Sequence, residues 1–163
     1  MNLVIDENVL VSAATIRNPS TSSNWKDQEQ YPWSINVLSD VIGCNHKLLV
    51  TPAIVKKYER KFTEINKGHF GPVIFNIAQF YSQAMDLGKV KYKDESLTEK
   101  RIHKDDLVKL DDKPFARLAK NTMSILVSLD GPLKLALGDV VKEPYELVDT
   151  KRYKRVESQA STN

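Results

Sequence analysis

The 163 residues, 41% of them hydrophobic, amount to one domain by the usual sizes, long enough for a single sizeable core. A single cysteine, Cys44, excludes an internal disulfide and any cysteine-based zinc site, fits a reducing cytoplasm, and reads as a small apolar filler. The net charge of +3 sits in the tail 151–163, where Lys151, Arg152, Lys154 and Arg155 outnumber Glu157 and leave the body 1–150 neutral. Such a tail is suited to phosphate-backbone contact and equally to keeping the protein in solution. No charged leader precedes an apolar run, and no stretch of about 18 apolar residues occurs, so the expectation is a cytoplasmic protein with no membrane segment.

In chain order, Leu3-Val4-Ile5 is an unbroken apolar run that stops on Asp6. It reads as a strand buried on both faces inside a parallel sheet. Ligands of open α/β sheets bind at the carboxyl edge of the strands. A carboxylate there suits a cation or a proton transfer, unless Asp6 or Asn8 merely caps the next helix. Residues 9–14 form a short helix, 18–24 a polar loop reaching Tyr31-Pro32, and 33–42 a helix with the stripe Trp33, Val37, Leu38, Val41 and Ile42. Trp25 in the loop either stacks a base or packs back on the core.

Residues 47–51 read as the second strand, followed by a helix over 53–65 whose apolar face is Ile54, Val55, Tyr58, Phe62 and Ile65. Residues 72–87 read as a helix stopped by Gly88, and 89–93 as a charged edge strand. The stretch 94–110 has no clear pattern beyond one turn around Leu97 and Ile102. His46, His69 and His103 have no neighbours that suggest a metal or catalytic role. Asp112 stands as the N-cap of a helix whose first turn holds Pro114 and whose buried face is Phe115, Leu118 and Ala119. A fourth strand, 124–129, ends at Asp130. A brief helix spans 132–137, and 145–149 is a possible fifth strand. The end of the tail, 156–163, has no pattern and should be disordered. This alternation implies a three-layer α/β/α sandwich on a mostly parallel, five-stranded sheet.

No P-loop, dinucleotide fingerprint, metalloprotease helix or nucleophile elbow occurs. What remains is Asp6, Asp112 and Asp130, each at an element end expected on one side of the sheet. Converging carboxylates repel one another and raise each other's pKa. A hard divalent cation, Mg²⁺ or Mn²⁺, relieves that repulsion and favours oxygen ligands. Metal-dependent phosphodiester hydrolysis is the chemistry these residues support best.

The run Leu3–Ala13 resembles the opening motif of PIN-domain nucleases, an apolar strand, Asp-x-Asn and an apolar helix start. The run Asp112–Ala119 is similar to that family's third acidic motif, and Ile125–Asp130 to its final strand closing on Ser128-x-Asp130. The resemblance spans residues 1–150. It implies a PIN-like fold and a Mg²⁺- or Mn²⁺-dependent endoribonuclease site in which Asp6, Asp112 and Asp130 hold the metal and Asn8 and Ser128 line it. It also implies RNA as substrate and, as in toxin members of the family, an antitoxin protein and a homodimer as partners. Where the family places a Glu early in the helix after the second strand, this chain has Lys57, and the nearest carboxylate is Glu59. A two-residue offset turns a side chain by about 200°, so Glu59 serves as fourth ligand only if the helix starts later. The alternative is an RNA- or protein-binding module of impaired activity, with Lys57 neutralising the carboxylates. A phosphate-transfer signalling domain is a third class, disfavoured because no phosphoacceptor ends the middle strand.

Overall fold

Leu3, Val4 and Ile5 are each at most 1% exposed, because their strand runs through the middle of the sheet. The computed structural model describes residues 1–15 and 25–148, without the side chains of 25–32. The polar loop and the basic tail expected from sequence, and the side chain of Trp25, lie outside the described residues. The strands are β1 (Asn2–Ile5), β2 (Lys47–Val50), β3 (Val90–Tyr92), β4 (Ile125–Val127) and β5 (Val141–Lys142). They form one all-parallel sheet in the order β3-β2-β1-β4-β5. In register, Leu3 lies beside Leu48 on one side and Ile125 on the other, and Ile5 lies beside Val127. The charged strand β3 stands at an edge, as its charge predicts.

Helices on both faces complete an α/β/α sandwich. They are α1 (Glu7–Ala14), α2 (Trp25–Gly43), α3 (Pro52–Asn66), α4 (Ile77–Asp86), α5 (Ser96–Glu99), α6 (Lys113–Asn121), α7 (Gly131–Leu137) and α8 (Pro144–Leu147). Helix α1 packs on α2, α3 and α4, whereas α6 packs on α5, β1 and β4. No described helix is long and apolar enough to cross a membrane.

Three elements differ from the sequence expectation. The fifth strand is Val141–Lys142 rather than 145–149. Pro144 lacks a ladder donor and sits in the first turn of α8, and Glu143 and Glu146 cap that helix reciprocally. Helix α4 starts at Ile77, five residues later than expected. The amides of Ile74 and Phe75 donate to the Ala14 carbonyl, Val73 bridges Thr15, and the Asn76 side chain caps α4 by accepting from Gln79 N–H at 3.0 Å. Helix α2 starts at Trp25, before the apolar stripe, on the good helix formers Lys26, Gln28, Glu29 and Gln30.

Candidate active site

The strand order fixes where a site belongs. From β1 the chain moves outward through β2 and β3, then returns to β4 on the other side of β1. The carboxyl ends of β1 and β4 therefore flank the topological switch point. Asp6 follows β1 there, and Ser128 and Asp130 follow β4.

Asp6 is 1% exposed. Its amide donates to the Val127 carbonyl at 2.9 Å, continuing the β1–β4 ladder one residue beyond the strand. It occupies the N-cap of α1, yet its side chain makes no capping hydrogen bond. Its Oδ2 instead accepts the Ser128 hydroxyl at 2.7 Å. Burial pushes the carboxyl up to about 7; the Ser128 bond opposes that, while the charges of Asp112 and Glu7 add to it. Asn8 ties the two strand ends together: its Nδ2 donates to Ser128 Oγ at 3.2 Å and its Oδ1 accepts from Leu129 N–H at 3.2 Å. The Ser128 oxygen also accepts the Asp130 amide at 3.1 Å. Beneath the site, the fully buried Tyr58 of α3 stacks on Phe115 at 6.2 Å and donates its hydroxyl to the Ile5 carbonyl, which fixes the peptide leading into Asp6.

Asp130 divides its oxygens. Oδ1 caps α7 by accepting from Leu133 N–H at 2.9 Å, and Oδ2 accepts from the Lys109 ammonium at 3.0 Å. Asp112 precedes α6 but makes no capping bond, so its carboxylate is not committed to that helix. Burial raises its pKa first and the charge of Asp130 next, against Lys109 and Lys57. The charge of Asp112 acts on Asp6 and that of Asp130 acts on Asp112, while Asn8 and Ser128 tie Asp6 to the end of β4.

The two candidates on α3 part ways. The helix begins at Pro52, directly after Thr51, whose side chain caps it, so there is no late start to rotate Glu59 inward. Glu59 is exposed, and its charge acts on Tyr81. Lys57 is the one turned toward the aspartates, with Nζ 3.6 Å from Asp111 and 6.0 Å from the Phe115 ring centroid. Glu59 as a fourth ligand is therefore an expectation that the helix start does not supply.

Glu7, Lys109 and Asp111 escape sequence reasoning. Glu7 had a signal, adjacency to Asp6. Lys109 lies in the patternless stretch before Leu110 and meets Asp130 only through the fold. As placed, no three His, Cys, Asp or Glu side chains among the described residues stand together as a ready metal-holding group. The ammonium of Lys109 already occupies one Asp130 oxygen. The donor set itself is all carboxylate oxygen, the chemistry of Mg²⁺ and Mn²⁺ rather than of softer ions. Glu7 Oε2 is buried with no hydrogen-bond partner. On donor chemistry alone these carboxylates suit a hard divalent cation, and in this arrangement Lys109 holds Asp130 Oδ2. No family model matches the chain, and comparison with curated proteins and with solved structures finds no significant match.

Proposed function

We propose that the protein is a Mg²⁺- or Mn²⁺-dependent endoribonuclease that hydrolyses RNA phosphodiester bonds at the switch point between β1 and β4. The observation that carries the reading is geometric: Asp6 after β1 and Asp130 after β4 stand at the carboxyl ends of adjacent strands, joined through Ser128, and the charge of Asp112 acts on Asp6. A buried carboxylate surrounded by others is costly unless something positive completes it. Asp6, Asp112 and Asp130 would hold the cation, which when bound supplies a water of lowered pKa and neutralises phosphate charge. The chain's own groups do the rest. Ser128 and Asn8 hold Asp6 in place, and Tyr58 fixes the backbone behind it. Lys57, Arg60 and Lys61 on α3 attract the phosphate backbone to the rim.

A second reading has an observation of its own. Lys109 on Asp130 and Lys57 beside Asp111 neutralise carboxylates without a metal. That arrangement suits a module that binds RNA or protein and has lost efficient chemistry. Calorimetric titration with Mn²⁺, alongside cleavage of single-stranded RNA with and without chelator, separates the two. The nuclease reading expects Mn²⁺ binding that Asp130→Asn weakens, and cleavage that chelator abolishes. No Mn²⁺ binding at millimolar concentration overturns it in favour of the module.

A further inference from the structure

Between the turn Asp105–Leu107 and α6 the chain holds two leucines out in solvent, Leu107 at 65% exposed and Leu110 at 81%. The loop that presents them is fixed at both ends. At one end Arg117 binds the Asp105 carboxylate at 2.7 and 2.8 Å, and the Leu107 and Val108 amides close tight turns on the Lys104 and Asp105 carbonyls. At the other, the Lys109 carbonyl accepts the amides of both Asp112 and Lys113, where α6 begins. Val108 anchors the middle in the core. A single exposed leucine is ordinary, but these two stand on one fixed backbone with Lys109 between them. The Lys109 ammonium reaches Asp130 Oδ2 at 3.0 Å, which brings the loop to the carboxyl end of β4. An ammonium carries three donors, so Lys109 can hold Asp130 and an anion together.

We infer that 107–110 is a substrate-contact loop, in which Lys109 meets a backbone phosphate of RNA beside Asp130 and Leu107 and Leu110 seat one nucleobase. The inference rests on the nuclease reading and adds to it the residues that place the strand. The charges on the loop decide what it takes. From 104 to 111 the exposed charged residues are Lys104, Asp106, Lys109 and Asp111, set directly among the leucines. Protein interfaces are depleted of charge at their core, so two leucines ringed in this way make a poor protein-docking patch. A nucleic-acid strand carries apolar base faces beside charged phosphates, as the loop sets leucine beside lysine. The two acidic residues already have cations of their own, Arg101 on Asp106 at 2.7 Å and Lys57 on Asp111 at 3.6 Å, which weakens their repulsion of a phosphate. A base that leaves its stack is held by packing against apolar side chains, and leucines kept outward by a fixed loop offer that contact with little ordering cost.

The test uses the full chain and short oligouridine and oligoadenosine single strands. Affinity is read by fluorescence anisotropy over a range of salt in chelator, and KM by cleavage with Mn²⁺. Lys109→Met should flatten the dependence of log affinity on log salt by roughly 0.7, the value of one phosphate contact on a single strand, and Lys109→Arg should keep the wild-type slope. Leu107→Ser and Leu110→Ser should each weaken binding, or raise KM, by roughly fivefold, the scale of one partly covered leucine, at an unchanged salt slope. Leu110→Met should restore most of the loss. The melting temperatures of the leucine variants should match wild type, because both side chains are exposed. If affinity, KM and salt slope are the same in all these variants while wild type cleaves RNA, the loop does not touch the strand. The inference is then overturned, the leucines are left to a protein partner, and the nuclease reading stands. If wild type neither binds RNA in chelator nor cleaves it with Mn²⁺, the nuclease reading fails and the role of the loop falls with it.

Discussion

Asp6 and Asp105 are the same residue at nearly the same burial, 1% and 3% exposed, and the fold surrounds them in opposite ways. Asp105 receives Arg117 through two bonds of 2.7 and 2.8 Å and has Lys113 at 3.3 Å. Those hydrogen bonds, led by Arg117, hold its carboxyl well below the usual range. Arg117 also donates to the Thr98 carbonyl at 3.1 Å, so the pair fastens α5 and the 105–107 turn to α6. Asp6 receives one serine hydroxyl and faces other carboxylates, and it is raised to about 7. One buried aspartate is completed by the protein, and the other is left incomplete. That contrast separates an aspartate locked by cations from one that burial and neighbouring carboxylates hold toward its protonated form.

The largest expected effect is at the latch. Arg117→Ala leaves Asp105 buried with Lys113 as its main partner and should cost about 3–5 kcal/mol, read as a lower denaturant midpoint. Adding Asp105→Asn should recover part of the loss, because the stranded charge is what costs most. A loss under about 1 kcal/mol would mean that Asp105 is no better completed than Asp6.

The opposite sign is expected at Asp6. Its pKa is about 7 in the fold against 3.8 in the unfolded chain, so the folded state holds the extra proton between those values. Its contribution to stability is full below about pH 4 and is lost as pH rises through 7. At pH 8 without metal, Asp6→Asn should therefore stabilise the protein by a few kcal/mol, with roughly 4 as a ceiling from three pKa units. The variant should also flatten the fall in stability between pH 4 and 7. Asp105 works the other way: its depressed pKa contributes stability above about pH 4 that is lost on further acidification. Asp6→Asn destabilising at pH 8 would show that its charge is already compensated.

The positions of the candidate residues were legible because they stand where elements end. Asp6, Asp112, Asp130, Asn8 and Ser128 each close or open an element, and parallel topology carries such ends to one edge. Lys109 was not legible, since 94–110 has no period and its partner Asp130 is reached only through the β4 crossover. Nor was the orphaned oxygen of Glu7, which depends on where α3 directs Arg60 and Lys61, more than 50 residues away. In the fold, the misread fifth strand shows apolar spacing at Tyr145, Leu147 and Val148 outweighing Pro144, when the proline should have decided. Ile74 fits the stripe of α4 by spacing alone, while the hydrogen bonds that hold residues 74 and 75 against α1, outside the helix, are tertiary.

A smaller effect is expected from Lys109, the exposed cation that completes Asp130 at 3.0 Å. Lys109→Met frees that oxygen, so Mn²⁺ should bind several-fold more tightly, with the melting temperature of the metal-free protein almost unchanged. Weaker Mn²⁺ binding in this variant would mean that Lys109 orients Asp130 for the cation instead of competing with it.

The smallest effect is expected at Glu59, and the comparison with Lys57 gives it meaning. Both are on α3 two residues apart, which turns them about 200° from each other on the helix. Lys57 faces Asp111 at 3.6 Å and lies over Phe115, whereas Glu59 is exposed. Glu59→Gln should therefore leave Mn²⁺ affinity and stability within error of wild type. Lys57→Glu exchanges a cation for a carboxylate beside Asp112, so it should lower metal-free stability through like-charge repulsion and strengthen Mn²⁺ binding. The two changes are thus expected to differ in kind, although both replace one charged residue on one turn of helix. Glu59→Gln reducing Mn²⁺ affinity would mean that α3 rotates on metal binding to bring Glu59 in, and the division between the two residues drawn from the helix start would be lost.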